Sequence, residues 1–93
     1  MDSEPKVIRA TQFILEDKTG KPRAMLTTTK DGPMLHLFDE TGKSRAGLSM
    51  LKAGPELHLF DETGKTRAAL GVSKDGPRLA LSDANGKVIW SQP

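Results

Sequence analysis

The chain contains no cysteine. Disulfides, thiolate nucleophiles and Cys-ligated zinc are therefore excluded, and the redox compartment is left open. A surplus of one charge is also missing. Fourteen Lys and Arg against 12 Asp and Glu leave a net charge of +2, far from the concentrated basic patch of a nucleic-acid or anionic-membrane binder. Neither partner is expected. The opening MDSEPKVIRATQ has no apolar h-region, and no stretch approaches the roughly 18 apolar residues of a membrane span. The chain as given is expected to be soluble, without a signal peptide or direct membrane insertion, and its compartment stays unassigned. No segment holds an uninterrupted helical period long enough to matter.

What is present is repetition. LHLFDETGKSRA (Leu35 to Ala46) returns as LHLFDETGKTRA (Leu57 to Ala68), with Ser44 exchanged for Thr66. Gly20, Gly42, Gly64 and Gly86 each precede Lys, and Gly-Pro recurs at Gly32, Gly54 and Gly76, so both series have a period of 22. Further columns are Phe13/Leu35/Leu57/Leu79, Leu15/Leu37/Leu59/Leu81 and Leu26/Leu48/Leu70. A period of this size marks a supersecondary unit that buries its apolar face only by stacking on neighbours. The chain reads as one domain, 1–93, with repeats at about 13–34, 35–56, 57–78 and 79–93, the last partial, and with 1–6 flexible.

Within a unit, apolar and polar residues alternate, and Gly or Pro interrupts about every 11 residues, which predicts eight short strands joined by seven turns. In DETG, Asp39 can bond the backbone ahead of it while Gly42 takes a left-handed conformation, as in a loop built on a type I turn. Strand parity then selects a register. A four-residue loop with Phe38 opposite Lys43 places Leu35, Leu37, Ala46 and Leu48 on one face and His36, Phe38 and Arg45 on the other, whereas a three-residue loop puts Leu37 with Arg45. The four-residue loop is therefore expected. The second Gly-Pro corner reads KAGP, with Ala53 where a type I′ turn would want Asn or Asp. It is expected to be a bend into a new layer or chain.

A single sheet with one apolar face is unstable in water. Phe13 in the first Leu column and Trp90 in the Ala column are the bulkiest members of their columns and stand at the two ends, as caps on an open stack would. The expected fold is all-β: tandem 22-residue hairpin repeats in a linear stack, as a threefold β-prism or intertwined β-helix. A closed eight-stranded meander barrel is the alternative. Self-association as a homotrimer follows from the first.

The string VIRATQFILEDKTGKPRAML, the internal GPxLxLxDxxGKxRAxL and the ending ANGKVIWSQP resemble a repeat at the end of uncharacterised bacterial proteins, where it often follows a coiled coil or membrane anchor. The resemblance runs from Val7 over nearly the whole remaining chain. It implies a β-repeat tip, trimeric where its coiled-coil neighbours are, and supplies no catalytic residues. This chain starts at Met1-Asp2 without such a coiled coil. The near-identity of copies two and three fits recent duplication or consensus design.

No catalytic, metal or cofactor site is expected. No copy has a Ser with a nearby His and acid, and GxGxxG and GxxxxGK[ST] are absent. Asp17, Asp39, Asp61 and Asp83 lack the spacing of an EF-hand or RTX calcium loop and read as turn-makers. His36 and His58 read as outward strand residues, since copies one and four carry Ile14 and Ala80 there. The Lys and Arg columns read as a solvated face that discourages edge aggregation. The leading expectation is a non-enzymatic structural or display module. The alternative is a glycan- or protein-binding module that uses His36, Phe38, Arg45, His58, Phe60 and Arg67 as its face.

Overall fold

A computed structural model describes residues 6–93, and the expected flexibility of 1–6 falls, but for Lys6, outside them. The strands are β1 (Gln12–Glu16), β2 (Pro22–Thr29), β3 (Gly32–Phe38), β4 (Ser44–Leu51), β5 (Gly54–Phe60), β6 (Thr66–Ser73), β7 (Gly76–Ser82) and β8 (Val88–Gln92). They form one antiparallel sheet in sequence order. The sheet is open: among the described residues β1 pairs only with β2 and β8 only with β7, so the closed barrel is corrected. No helix among the described residues is long and apolar enough to cross a membrane.

The Leu face is as expected, but the turn that sets it is different. Leu37 lies opposite Ala46 and Leu35 opposite Leu48. Yet Asp39 N–H donates to the Lys43 carbonyl at 2.8 Å and Gly42 N–H to the Asp39 carbonyl at 3.0 Å, which closes a three-residue loop with Gly42 at φ +90°. The expected pairing of Phe38 with Lys43 is corrected to Phe38 with Ser44, across a register shift that absorbs one residue near Arg45. A loop one residue shorter would flip every side chain, and a bulge of one residue flips them back. The same bulge recurs in the other three hairpins.

The Gly-Pro corners are hairpins too, which corrects the bend. Thr29 pairs with Gly32, Leu51 with Gly54 and Ser73 with Gly76, leaving two-residue loops. No non-glycine residue among those described has positive φ, and Gly32 and Gly54 both sit at +139°. The unusual backbone is thus moved onto the glycine after the turn, and Ala53 meets no demand it cannot satisfy. The β3–β4 ladder begins at Met34, so the missing N–H of Pro33 costs no bond on that side.

The result is a single layer without a core. Among the described residues no apolar side chain is buried; the one buried residue is Gly47. The radius of gyration is 16.4 Å, against about 12 Å for a compact chain of this length. The surface is 7462 Å², against roughly 5,300 Å² for a compact monomer of 10.1 kDa.

Candidate functional site

The six residues of the expected binding face lie on β3 to β6; His36, Phe38, Arg45, His58 and Phe60 adjoin one another, while Arg67 turns to Ser82 and Asp61. Across the middle of this face His36 lies opposite Met25 and Gly47, and His58 opposite Gly47 and Ala69. Each His stacks on the Phe two residues later, with ring centroids 6.1 Å apart at 16° for His36 and Phe38 and 6.0 Å at 11° for His58 and Phe60. Gly47 is buried because rings lie over it: a Cβ there would stand 3.3 Å from His36 Cε1 and 3.8 Å from Phe60 Cε2. The two histidines differ in partner. His36 Nδ1 is 2.8 Å from Ser44 Oγ, which corrects the expectation that no copy sets a Ser near a His, whereas His58 Nε2 is 2.7 Å from Glu56 Oε1, since Glu56 replaces Met34 in the third copy.

The arginines carry a structural load that their sequence columns did not reveal. Arg45 Nε donates to the Phe60 carbonyl at 2.9 Å and Arg67 Nε to the Ser82 carbonyl at 2.7 Å, each 15 residues downstream. Lys43 Nζ donates to the Glu62 carbonyl at 2.9 Å and Lys65 Nζ to the Ala84 carbonyl at 3.0 Å, each 19 residues downstream. The second and third DxxGK hairpins are thereby stitched to the ones that follow them along one end of the sheet, while the first reaches the second through Arg23 Nε, 3.5 Å from the Phe38 carbonyl. Arg45 also lies 3.6 Å from Asp39 and Arg67 3.5 Å from Asp61. The arginine ends of these pairs are exposed, so the ion pairs contribute little. The signal for the stitch is the co-occurrence of Lys and Arg at the same offset from Gly20, Gly42 and Gly64, which becomes legible only once the strand order is known.

The aspartates are bound into their own turns. Asp39 Oδ1 accepts the Thr41 hydroxyl at 2.6 Å, the Thr41 N–H at 2.9 Å and the Lys43 N–H at 3.1 Å; Asp61 repeats this with Thr63 and Lys65. Asp17, Asp39 and Asp61 are each lowered to about 2, chiefly by the threonine hydroxyl that donates to the carboxylate. A depressed folded value means the unfolded chain binds protons more readily. The stabilisation is therefore whole above an ordinary carboxylate value near 3.8 and is lost as pH falls through about 2. Far-UV circular dichroism during acid titration is expected to stay flat down to about pH 4 and then fall. Thr41→Val with Thr63→Val is expected to move the fall to higher pH, and an unmoved transition would show that the hydroxyls do not hold the turns.

On the opposite face Leu26, Pro33, Leu35, Leu48, Met50 and Pro55 line a shallow apolar groove. Phe13 and Trp90, expected as caps, are 42% and 48% exposed. Among the described residues no three His, Asp or Glu side chains converge as a metal site would require. The chain matches no protein-family model, and no curated protein shows significant similarity to it.

Proposed function

We propose that the chain is a non-enzymatic structural or display module: a self-associating β-repeat sheet that ends a fibre or spaces other domains. The simplest assembly is a homotrimer with the Leu faces turned inward about a threefold axis, as a prism or intertwined β-helix. The observation that carries this reading is the uncovered apolar face. The surface of 7462 Å² exceeds that of a compact monomer by roughly 2,000 Å². One partner contributes about 800 Å² to a standard interface, so the excess accommodates the two neighbours that each chain meets in a trimer. Light scattering on a size-exclusion column tests it. A mass of roughly three times 10.1 kDa, or a multiple of that where trimers join, is expected, and a clean single-chain mass at micromolar concentration would overturn it.

A second reading, a glycan-binding module, is favoured by the two equivalent His–Phe stacks on the other face. Flat rings edged by polar groups make a recognition surface. Signal on a glycan array that disappears with Phe38→Ser and Phe60→Ser is expected, and a silent array would count against it.

A further inference from the structure

The repeat leaves both of its outer strands unfinished. Among the described residues β1 and β8 each have one neighbour, so each leaves a row of main-chain N–H and C=O groups without a strand partner there. Both are short, at five residues, and β1 ends on Glu16, but QFILE and VIWSQ hold no Lys, Arg or Pro and every residue in them is exposed. Ile14 and Leu15 at one edge and Val88, Ile89 and Trp90 at the other are exposed apolar side chains. Hydrophobic, unprotected edges of this kind are templates for another strand.

We propose that β8 of one copy pairs antiparallel with β1 of the next, so that the sheet continues from chain to chain with Trp90 opposite Leu15 and Gln92 opposite Phe13 of the next copy. This rests on the reading of the chain as a self-associating module and adds an axial, head-to-tail contact to the covering of the Leu face.

The register comes from the three internal junctions of the same kind. Where an even strand meets the following odd one, Ala24 faces Leu37 and Leu26 faces Leu35, Ala46 faces Leu59 and Leu48 faces Leu57, and Ala68 faces Leu81 and Leu70 faces Leu79. Trp90 stands in the Ala column and Gln92 in the following Leu column, while Leu15 and Phe13 stand in the two columns they would meet. β8 runs in the direction of β2, β4 and β6, and β1 in that of β3, β5 and β7, so the junction is antiparallel like the others.

The stitches point the same way. Lys43 reaches the Glu62 carbonyl and Lys65 the Ala84 carbonyl. Lys87 is the next donor of that row, and the carbonyl of Lys18 is the acceptor at the equivalent place on the first hairpin, so the junction sets one against the other. The Arg row behaves differently. Ile89 stands at its next position, which brings an apolar side chain to the junction in place of a charged donor. Such a contact joins unlike surfaces, so it builds a filament or a ring.

Because the chain holds no cysteine, single-cysteine variants report the register without background. Gln92→Cys and Phe13→Cys are mixed under mild oxidation and the linked species are separated by mass. Residues directly opposite have Cα atoms about 4.5–5.5 Å apart, within the roughly 4.4–6.8 Å a disulfide spans. The mixed disulfide is expected to exceed both like-with-like species several-fold. It is also expected to exceed, several-fold, the yield of Gln92→Cys with Ile14→Cys, whose side chain lies on the other face. Should loss of Phe13 impair folding by circular dichroism, Trp90→Cys with Leu15→Cys asks the same question. Dominant linkage of Gln92→Cys to itself would mark symmetric β8–β8 pairing, and equal yield with Ile14→Cys would mark unspecific contact; either overturns the proposal. No mixed disulfide in a protein whose mass is a multiple of one chain overturns the junction and leaves the structural module standing. No mixed disulfide in a single-chain protein removes both.

Discussion

Leu37→Lys combined with Leu59→Lys is expected to lower the mass of the assembled protein by removing the contact through the Leu face, and to weaken the dependence of its thermal midpoint on concentration. Both leucines lie on the apolar face, opposite Ala46 and Ala68 respectively, and are 48% and 45% exposed in the single chain. In the proposed assembly their remaining surface is covered by another copy. Fully burying a Leu contributes about 1.5–3 kcal/mol, and an unpaired ammonium in its place costs several more, multiplied by every chain in the assembly. The truncation Leu37→Ala separates the two levels. A core Leu→Ala costs about 2–5 kcal/mol, the range expected from the alternation pattern if the face were buried. With half of the side chain already in solvent, the single chain loses only about half of that, and the full cost is met only in the assembly. His36→Ala, on the other face, is expected to leave the mass unchanged. Light scattering and melting curves at two concentrations check all three variants. An unchanged mass for the double Lys variant would mean that the Leu face is not the contact.

The second large effect is expected at a glycine. Gly54→Ala should be far more damaging than Gly42→Ala, although both positions have positive φ. At Gly42, φ is +90° and nothing lies within 4 Å of an added Cβ, so the cost is that of the backbone conformation alone, about 1–2 kcal/mol. At Gly54, φ is +139° and the Cβ would overlap the Val72 carbonyl on β6. A main-chain oxygen cannot rotate aside as a side chain can, so β5 or β6 must move and the ladder between them breaks. The expected loss exceeds about 3 kcal/mol, a large share of the stability of a small domain. Urea denaturation of the two variants side by side is the check. Equal midpoints would show that the strands do not approach as closely as described.

Much of this fold is legible in the residues because a strand's period of two leaves little freedom. Leu35, Leu37, Ala46 and Leu48 had to share a face, and they do, even though the loop between them is shorter than parity alone predicts. Parity constrains the sum of loop and bulge and says nothing of how the sum is divided. Ala53 misleads for a related reason: a type I′ turn would demand positive φ of it, whereas the turn places its positive φ on Gly54, one residue later. Of the candidate face, the stacking of His36 on Phe38 and of His58 on Phe60 follows from their spacing of two. The bonds of Arg45 to Phe60 and of Lys43 to Glu62 do not, because they join residues 15 and 19 apart that only the strand order makes neighbours.

By itself, then, the sequence determined the eight strands, the positions of their turns and the division of residues between two faces, since these depend on local alternation and on where Gly and Pro interrupt it. The tertiary structure decided how each turn is closed, that the Gly-Pro corner is a hairpin and that the sheet ends at two free edges. Those depend on hydrogen bonds and close approaches between strands, such as Gly54 against the carbonyl of Val72, which no period in the sequence encodes.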